Sequence, residues 1–323
     1  TSFDAAPRME LKTLLAGVLL ADGDPDAAYA EAREGLDRAA DVADAPLVAS
    51  AHLMLGRTLV ELGAAAAADA EFLAANREAD TMGARALLLE AQLGLAATHR
   101  LRGQFVAAEV AARVALQFAA ASSARVLQSR AEHQLALVSV ASGASAEARS
   151  ALERTRVLAR GVRDSALHID VLIQLAARSR AAGEPSRARD LALEAWTEAS
   201  EHDDAVRRSA AMLELGLLEV DARQAEAAET RFRSALAAAQ AHRASRLVTR
   251  IHEGLVEARL KADDIAGAIA YAEAAGAHAR ALGPFGASEA VTAALLSARV
   301  HREAQDVSML RSCAQEAVRV AED

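Results

Sequence analysis

The sequence has little of what would indicate a disulfide framework, a base-stacking surface or a membrane span. Cys313 is the one cysteine, which excludes an intrachain disulfide and favours a reducing compartment. Aromatic residues make up 3% of the chain and the net charge is −9, which argues against nucleic-acid binding. The longest apolar runs, such as Leu14–Ala21, are too short to cross a membrane. These features predict a cytoplasmic protein that binds neither nucleic acid nor membrane directly.

Motifs that carry chemistry are also missing. The nine histidines show no His-Glu-x-x-His spacing, and no cysteine pair is available for zinc. No phosphate-binding loop of the Gly-x-x-x-x-Gly-Lys-Ser/Thr or Gly-x-Gly-x-x-Gly type occurs. We therefore predict no catalytic residue, no metal ligand and no cofactor, and we expect that the protein is not an enzyme. No signal peptide is visible, and Thr1 in place of Met is expected of a region trimmed from a longer protein.

What the sequence does contain is a 40-residue period along its whole length. A leucine marks each period, at Leu15, Leu55, Leu95, Leu135, Leu175, Leu215, Leu255 and Leu295. A turn position follows eight residues later, at Gly23, Gly63, Gly103, Gly143, Gly183, Arg223, Asp263 and Glu303. In the last repeat the pattern then slips by two residues, which puts Leu310 where the other repeats have alanine. A period held this long is typical of one supersecondary unit stacked repeatedly into a solenoid.

Each unit has the pattern of two helices. In the second repeat, small and apolar residues fall on one face of each helix: Leu55, Gly56 and Leu59, then Ala68, Phe72 and Ala75. Gly63 lies between the two sets, where the end of a helix requires a positive φ. Each repeat is thus a helical hairpin whose apolar face must be covered by its neighbours. At the start of the chain, Asp24 and Pro25 are the expected N-cap and first residue of a second helix.

These positions resemble the signature of the tetratricopeptide repeat (TPR). The second repeat matches it at the residues just given, and the sixth matches at Leu215, Gly216, Ala228, Phe232 and Ala235. The unit is longer than the common ~34 residues, and its aromatic positions are mostly Ala or Leu, as at Ala112 and Leu152. The 40-residue unit and the Ala/Leu-rich composition look most like the sensor region of MalT-type, LuxR-family bacterial transcription activators. HEAT and armadillo repeats share the length but lack the small-residue pattern.

The predicted fold is an all-α, right-handed superhelical solenoid of about eight TPR-like hairpins. It forms a single repeat domain over residues 1–323, with approximate repeats 9–43, 44–82, 83–122, 123–162, 163–202, 203–243, 244–283 and 284–323.

Candidate binding residues are those that interrupt an apolar column. In TPR proteins the first helix of each hairpin lines the concave face of the superhelix. One column of that face is Leu or Val in six repeats and arginine in two, at Arg100 and Arg180. The neighbouring polar positions are Arg57, His133, Gln134 and Gln174, beside an apolar wall of Leu93, Leu137 and Ile173. Repeat seven places Glu253 and Glu257 on the same face.

Two interpretations of these residues stay open at this point. They are either surface charges and internal ion pairs, for example with Glu90 or Asp170, or a concave groove that binds an acidic group. On the second interpretation, Arg100 and Arg180 anchor the acid.

The resemblance implies a non-catalytic binding superhelix, the effector- or partner-sensing region of a MalT-like transcriptional regulator. The alternative is a general protein–protein interaction scaffold that binds a peptide or helix in its groove. The expected partner is a protein, a peptide or a small-molecule effector that carries an acidic group, and self-association is compatible with either function.

Overall fold

The computed structural model describes residues 5–21, 24–37, 44–121, 124–283 and 286–322. These residues form sixteen α-helices and no strands, which confirms the predicted all-α repeat fold. The helices are α1 Ala5–Ala21, α2 Pro25–Leu36, α3 Ala45–Glu61, α4 Ala65–Met82, α5 Arg85–Leu101, α6 Phe105–Ala121, α7 Arg125–Ala141, α8 Ser145–Val162, α9 Ser165–Ala181, α10 Pro185–Glu201, α11 Ala205–Asp221, α12 Ala225–Ala241, α13 Ser245–Lys261, α14 Ile265–Ala281, α15 Ala287–Glu303 and α16 Val307–Glu322.

The chain divides into two compact units, Thr1–Val171 and Leu172–Asp323. Within the units, odd-numbered helices pair with the following even-numbered helix in a hairpin, as the repeat pattern predicts. These hairpins are α1–α2, α3–α4, α5–α6 and α7–α8 in the first unit, and α11–α12, α13–α14 and α15–α16 in the second. The organisation as one domain and the right-handed twist stay predictions.

The first helices of neighbouring hairpins also contact one another. In the first unit these contacts join α1 to α3, α3 to α5 and α5 to α7, and in the second they join α11 to α13 and α13 to α15. Second helices make only sparse contacts of this kind. Each unit therefore has an inner face, which is the surface where its first helices meet.

Helices end in a left-handed residue about every 20 residues. Glycine takes this conformation at Gly63, Gly83, Gly103, Gly143, Gly183 and Gly283, and other residues take it at Arg163, Asp203, Arg223, Arg243, Asp263 and Gln305. The predicted turns at Arg223 and Asp263 are confirmed, whereas Gly23 lies outside the described residues. The predicted turn at Glu303 is wrong, because α15 continues through Glu303 and the left-handed residue comes two positions later, at Gln305.

Close helix packing depends on glycines that face a phenylalanine. The ring of Phe72 on α4 lies against Gly56 on α3 and Gly94 on α5, and a Cβ on Gly56 would come within 2.8 Å of the ring. Phe232 is clamped in the same way by Gly216 and Gly254. Both rings are fully buried, so an aromatic residue of the second helix interlocks with glycines of the first helices on either side of it.

The predicted start of α2 is also confirmed. The Asp24 carboxylate accepts a hydrogen bond from the Ala27 amide at 3.2 Å, and Pro25 is the first helical residue.

Candidate functional site

The six predicted site residues all lie on first helices. Arg57 is on α3, Arg100 on α5, and His133 and Gln134 on α7, all within the first unit; Gln174 and Arg180 are on α9 within the second unit. All except the exposed Arg57 are partly buried. We describe the inner face of each unit separately.

Arg57 already has a carboxylate partner in the first unit. Its guanidinium pairs with Glu90 on α5, and so one of the internal partners anticipated from the sequence is present. Although 44% of the Arg57 side chain is exposed, partial desolvation of its guanidinium lowers its pKa, and the positive charge of Arg130 lowers it further. The inner face therefore holds two arginines close enough to repel each other, with one carboxylate against Arg57.

Arg130 is a site residue that the sequence reasoning missed. It lies on α7 and is half exposed, and its Nε atom is 3.8 Å from the Asp164 carboxylate, which also caps α9. A distance of 3.8 Å is too long for a hydrogen bond, so the Arg130 guanidinium is only loosely held there. The signal in the sequence is the column of positions 10 to 290, which is charged in five of eight repeats, at Glu10, Glu90, Arg130, Asp170 and Arg250.

Gln134 adds an amide group to this region. It is partly buried on α7, and its Oε1 atom is buried without a hydrogen-bond partner among the described residues. A buried amide oxygen that makes no hydrogen bond is costly, and a ligand N–H group would satisfy it. The first unit thus combines cationic groups with a buried acceptor, which a peptide N–H group reaches only if neighbouring side chains move aside.

In the second unit, Arg180 belongs to a network of ion pairs. Its Nη1 atom is 3.2 Å from Asp221 and its Nε atom is 3.9 Å from Glu214 on α11. Glu214 is almost fully buried and accepts a 2.9 Å hydrogen bond from Arg250 on α13. Burial raises the pKa of Glu214, although Arg250 and Arg180 oppose this effect. For Arg180, internal pairing therefore accounts for the charge that interrupts the apolar column.

The remaining charges on this face are mainly acidic. Lys261 lies 3.2 Å from Asp221 and 3.6 Å from Glu257, so its charge is shared by two carboxylates. Glu253 has no ion pair within 4 Å among the described residues, and burial raises its pKa. The two inner faces therefore differ: Arg57 and Arg130 are each near one carboxylate, whereas Arg180 belongs to a wider network of ion pairs with Asp221 and Glu214.

The predicted apolar wall is mostly part of the packed core. Ile173 is 6% exposed and so does not line an open groove. Leu93 is partly buried and packs in a cluster with Leu89, Ala115 and Ala119. Leu93 and Ile173 were predicted to line a groove, but they pack in the core because a first helix is covered on two sides. Its own hairpin partner covers one side and the preceding hairpin covers the other.

Other sources of function are limited within the described ranges. No group of three or more His, Cys, Asp or Glu residues there is arranged to hold a metal ion. None of the helices is both long and apolar enough to cross a membrane. Trp196, expected to be a packing residue, is 39% exposed on α10.

Solved structures show what this architecture resembles. A Rap protein complexed with competence and sporulation factor has a TM-score of 0.64 at 12% identity, over 98% of each chain. The Rap conjugation gene regulator of plasmid pLS20, in complex with the Phr* peptide, has a TM-score of 0.70 at 14% identity, over 92% of this chain and 75% of that one. A STAND-class signal-transduction ATPase from Pyrococcus horikoshii, with a tetratricopeptide-repeat sensor, has a TM-score of 0.60 at 13% identity, over 96% of this chain and 47% of that one.

These similarities establish a TPR-like helical repeat fold for the chain. No protein-family model and no curated protein matches the sequence.

Proposed function

We propose that this chain is a non-catalytic scaffold that binds a peptide on the inner face of its first unit. The observation that carries the proposal is a surface where first helices meet, on which Arg57 pairs with Glu90 and the Arg130 guanidinium is only loosely held, 3.8 Å from Asp164. Two proteins of similar fold hold a peptide or peptide-like factor, which supports a peptide as the ligand class. Repeat solenoids commonly use such extended inner surfaces for binding.

The preferred peptide carries an acidic group. A carboxylate placed near Arg57 and Arg130 would relieve their repulsion and would form charge-assisted hydrogen bonds with them. Gln134 would accept a hydrogen bond from a backbone N–H group of the same peptide, while Arg100 and His133 provide further polar contacts on α5 and α7. In the second unit, Gln174 and Arg180 stay candidates, but an acid that binds Arg180 has to compete with Asp221 and Glu214.

A peptide array tests this proposal. Peptides of fixed length that differ by one acidic, neutral or basic position are screened by fluorescence anisotropy against the intact chain. We expect acidic peptides to bind best and Arg57→Leu or Arg100→Leu to weaken binding. Each lost charge-assisted bond contributes ~1.5–3 kcal/mol, which corresponds to roughly tenfold to a hundredfold in affinity. Arg180→Leu should have a smaller effect because its charge is already neutralised.

Arg113→Leu is the matched control for these variants. Arg113 is exposed on α6, a second helix, and pairs only with Glu109 one turn away. Its loss should leave peptide affinity unchanged. Equal affinity for acidic and basic peptides, or equal losses in Arg57→Leu and Arg113→Leu, would contradict the proposal.

The second candidate is the sensor region of a larger cytoplasmic regulator, of the MalT type or a related one. The resemblance to a STAND protein with a tetratricopeptide-repeat sensor favours it. In that case the acidic group belongs to an effector, and neighbouring segments of the gene should encode a nucleotide-binding switch and a DNA-binding helix-turn-helix. Flanking sequence without either motif would leave the scaffold as the better function.

A further inference from the structure

The first helix, α1, exposes an apolar stripe. Leu11, Leu14, Leu15 and Val18 are 66%, 61%, 40% and 57% exposed. Their spacing of three, four and seven residues places them on one face of the helix. A contiguous exposed apolar patch of this kind usually marks an interaction surface.

The same stripe is covered in other hairpins. Leu295, the equivalent of Leu15 in the last hairpin, is 57% exposed, but the equivalents Leu55, Leu95, Leu215 and Leu255 are 0%, 5%, 4% and 0% exposed. In each case the second helix of the preceding hairpin lies on the stripe: α2 on α3, α4 on α5, α10 on α11 and α12 on α13. The stripe of α1 is therefore an acceptor face for a second helix.

The last helix, α16, offers a second helix with a free donor face. Helix α4 packs on α5 through three residues: Asp69 bonds to Thr98, Phe72 lies against Gly94, and Asn76 bonds to Gln92. In the last repeat the left-handed turn residue is Gln305, which takes the place of Gly63. Counted from that turn, the counterparts of Asp69, Phe72 and Asn76 in α16 are Arg311, Ala314 and Val318. All three are exposed, and Val318 is 57% exposed. The burial of Ala317 supports this alignment of α16 with α4, because Ala317 then corresponds to the buried Ala75.

The two faces are complementary in side-chain size at the central position, while the same register sets Arg311 against Val18 and Val318 against Lys12. Where α4 meets α5, a large residue of the second helix, Phe72, lies against a glycine of the first helix, Gly94. At the same positions α16 has a small residue, Ala314, and α1 has a large one, Leu14. The large and small partners are exchanged, so the combined volume is kept and the close approach of the two helices remains feasible.

We propose that the chain self-associates head to tail, with α16 of one copy packed on α1 of the next copy in the register that α4 uses on α5. This contact continues the hairpin-to-hairpin interface already present inside each unit. The two surfaces are different, so the association is heterologous and each copy retains one free acceptor and one free donor.

Two charge substitutions and their mixture test this proposal by analytical ultracentrifugation. The average mass of the parent should rise with concentration above the 33.7 kDa of one chain. Leu14→Glu destroys the acceptor, and Ala314→Glu destroys the donor because it places a charge against the apolar Leu14. Each variant alone should stay monomeric. Mixed in equal amounts, they should form a one-to-one dimer and nothing larger, because α16 of the first variant still fits α1 of the second.

Val106→Glu is the control for added surface charge, since Val106 is 79% exposed on α6 and lies on neither face. It should associate like the parent. Circular dichroism checks that every variant keeps its helices. A parent that stays monomeric at all concentrations overturns the proposal, as does a mixture that forms no mixed dimer. If Ala314→Glu dimerises alone, α1 pairs with itself and the head-to-tail register is wrong.

Discussion

Gly56→Ala tests the close packing on which the hairpin stack depends. An added Cβ would come within 2.8 Å of the Phe72 ring, far inside an ordinary carbon–carbon contact. Phe72 cannot move away freely, because its other side lies against Gly94 on the next first helix. The methyl group must therefore displace a fully buried ring or separate α3 from α4.

Gly276→Ala measures the part of the effect that comes from helix propensity alone. Gly56 and Gly276 are each the twelfth residue of a 17-residue helix, and a Cβ on Gly276 meets only the flexible end of Arg280. Both substitutions gain roughly 1 kcal/mol from replacing a helical glycine, while overpacking in a core costs ~1–3 kcal/mol. We expect Gly56→Ala to be less stable than Gly276→Ala by about this second amount.

Urea unfolding gives the difference, and hydrogen exchange locates it. Protection should fall first in α3, α4 and α5, because each repeat contacts only its neighbours. Phe72→Leu in the Gly56→Ala background should recover part of the loss, since the smaller side chain leaves room for the methyl group. If Gly56→Ala is as stable as Gly276→Ala, or if exchange rises equally in every helix, the close-packing argument fails.

Three further substitutions test local features. Arg223 has a left-handed φ of 58°, so Arg223→Gly should raise stability by about 0.5–1 kcal/mol in urea unfolding, whereas Gly63→Arg should lower it. Asp204→Ala should cost ~1 kcal/mol, because its carboxylate caps α11 through the Arg207 amide at 2.9 Å; an unchanged urea midpoint would contradict this. Burial lowers the pKa of His252 from 6.5 to about 4. The stability that its neutral ring contributes is therefore complete above pH 6.5 and is lost as the pH falls towards 4. Thermal melts over this interval should show that His252→Leu is less sensitive to acid than the parent.

The repeat fold could be predicted because it depends on short-range signals. Leucine, small residue and turn recur at fixed spacing, and the burial of Leu55 and Phe72 follows from helical periodicity alone. Arg163 and Arg243 lie at predicted boundaries between repeats, but their left-handed conformation could not be predicted because arginine does not favour a positive φ. Their conformation is imposed by the stacking of the hairpins on either side.

The site was harder to predict because charge pairing depends on neighbouring repeats. Arg57 and Glu90 are 33 residues apart and meet only once α3 and α5 lie side by side. Arg180 interrupts an apolar column in the sequence, but its environment is decided by Asp221 and Glu214 on the next first helix. Neither of these ion pairs can be read from one column of equivalent repeat positions in the sequence.

The central claim is that an acidic peptide binds at Arg57 and Arg130, and arginine side-chain NMR tests it directly. The Nε–Hε signals are assigned from Arg57→Leu, Arg130→Leu and Arg113→Leu and then followed during titration with the acidic peptide that binds best in the array. The Arg57 and Arg130 signals should move together and saturate with the peptide, while the Arg113 signal stays fixed. Saturable peptide binding that leaves the signals of Arg57 and Arg130 unmoved would contradict the account.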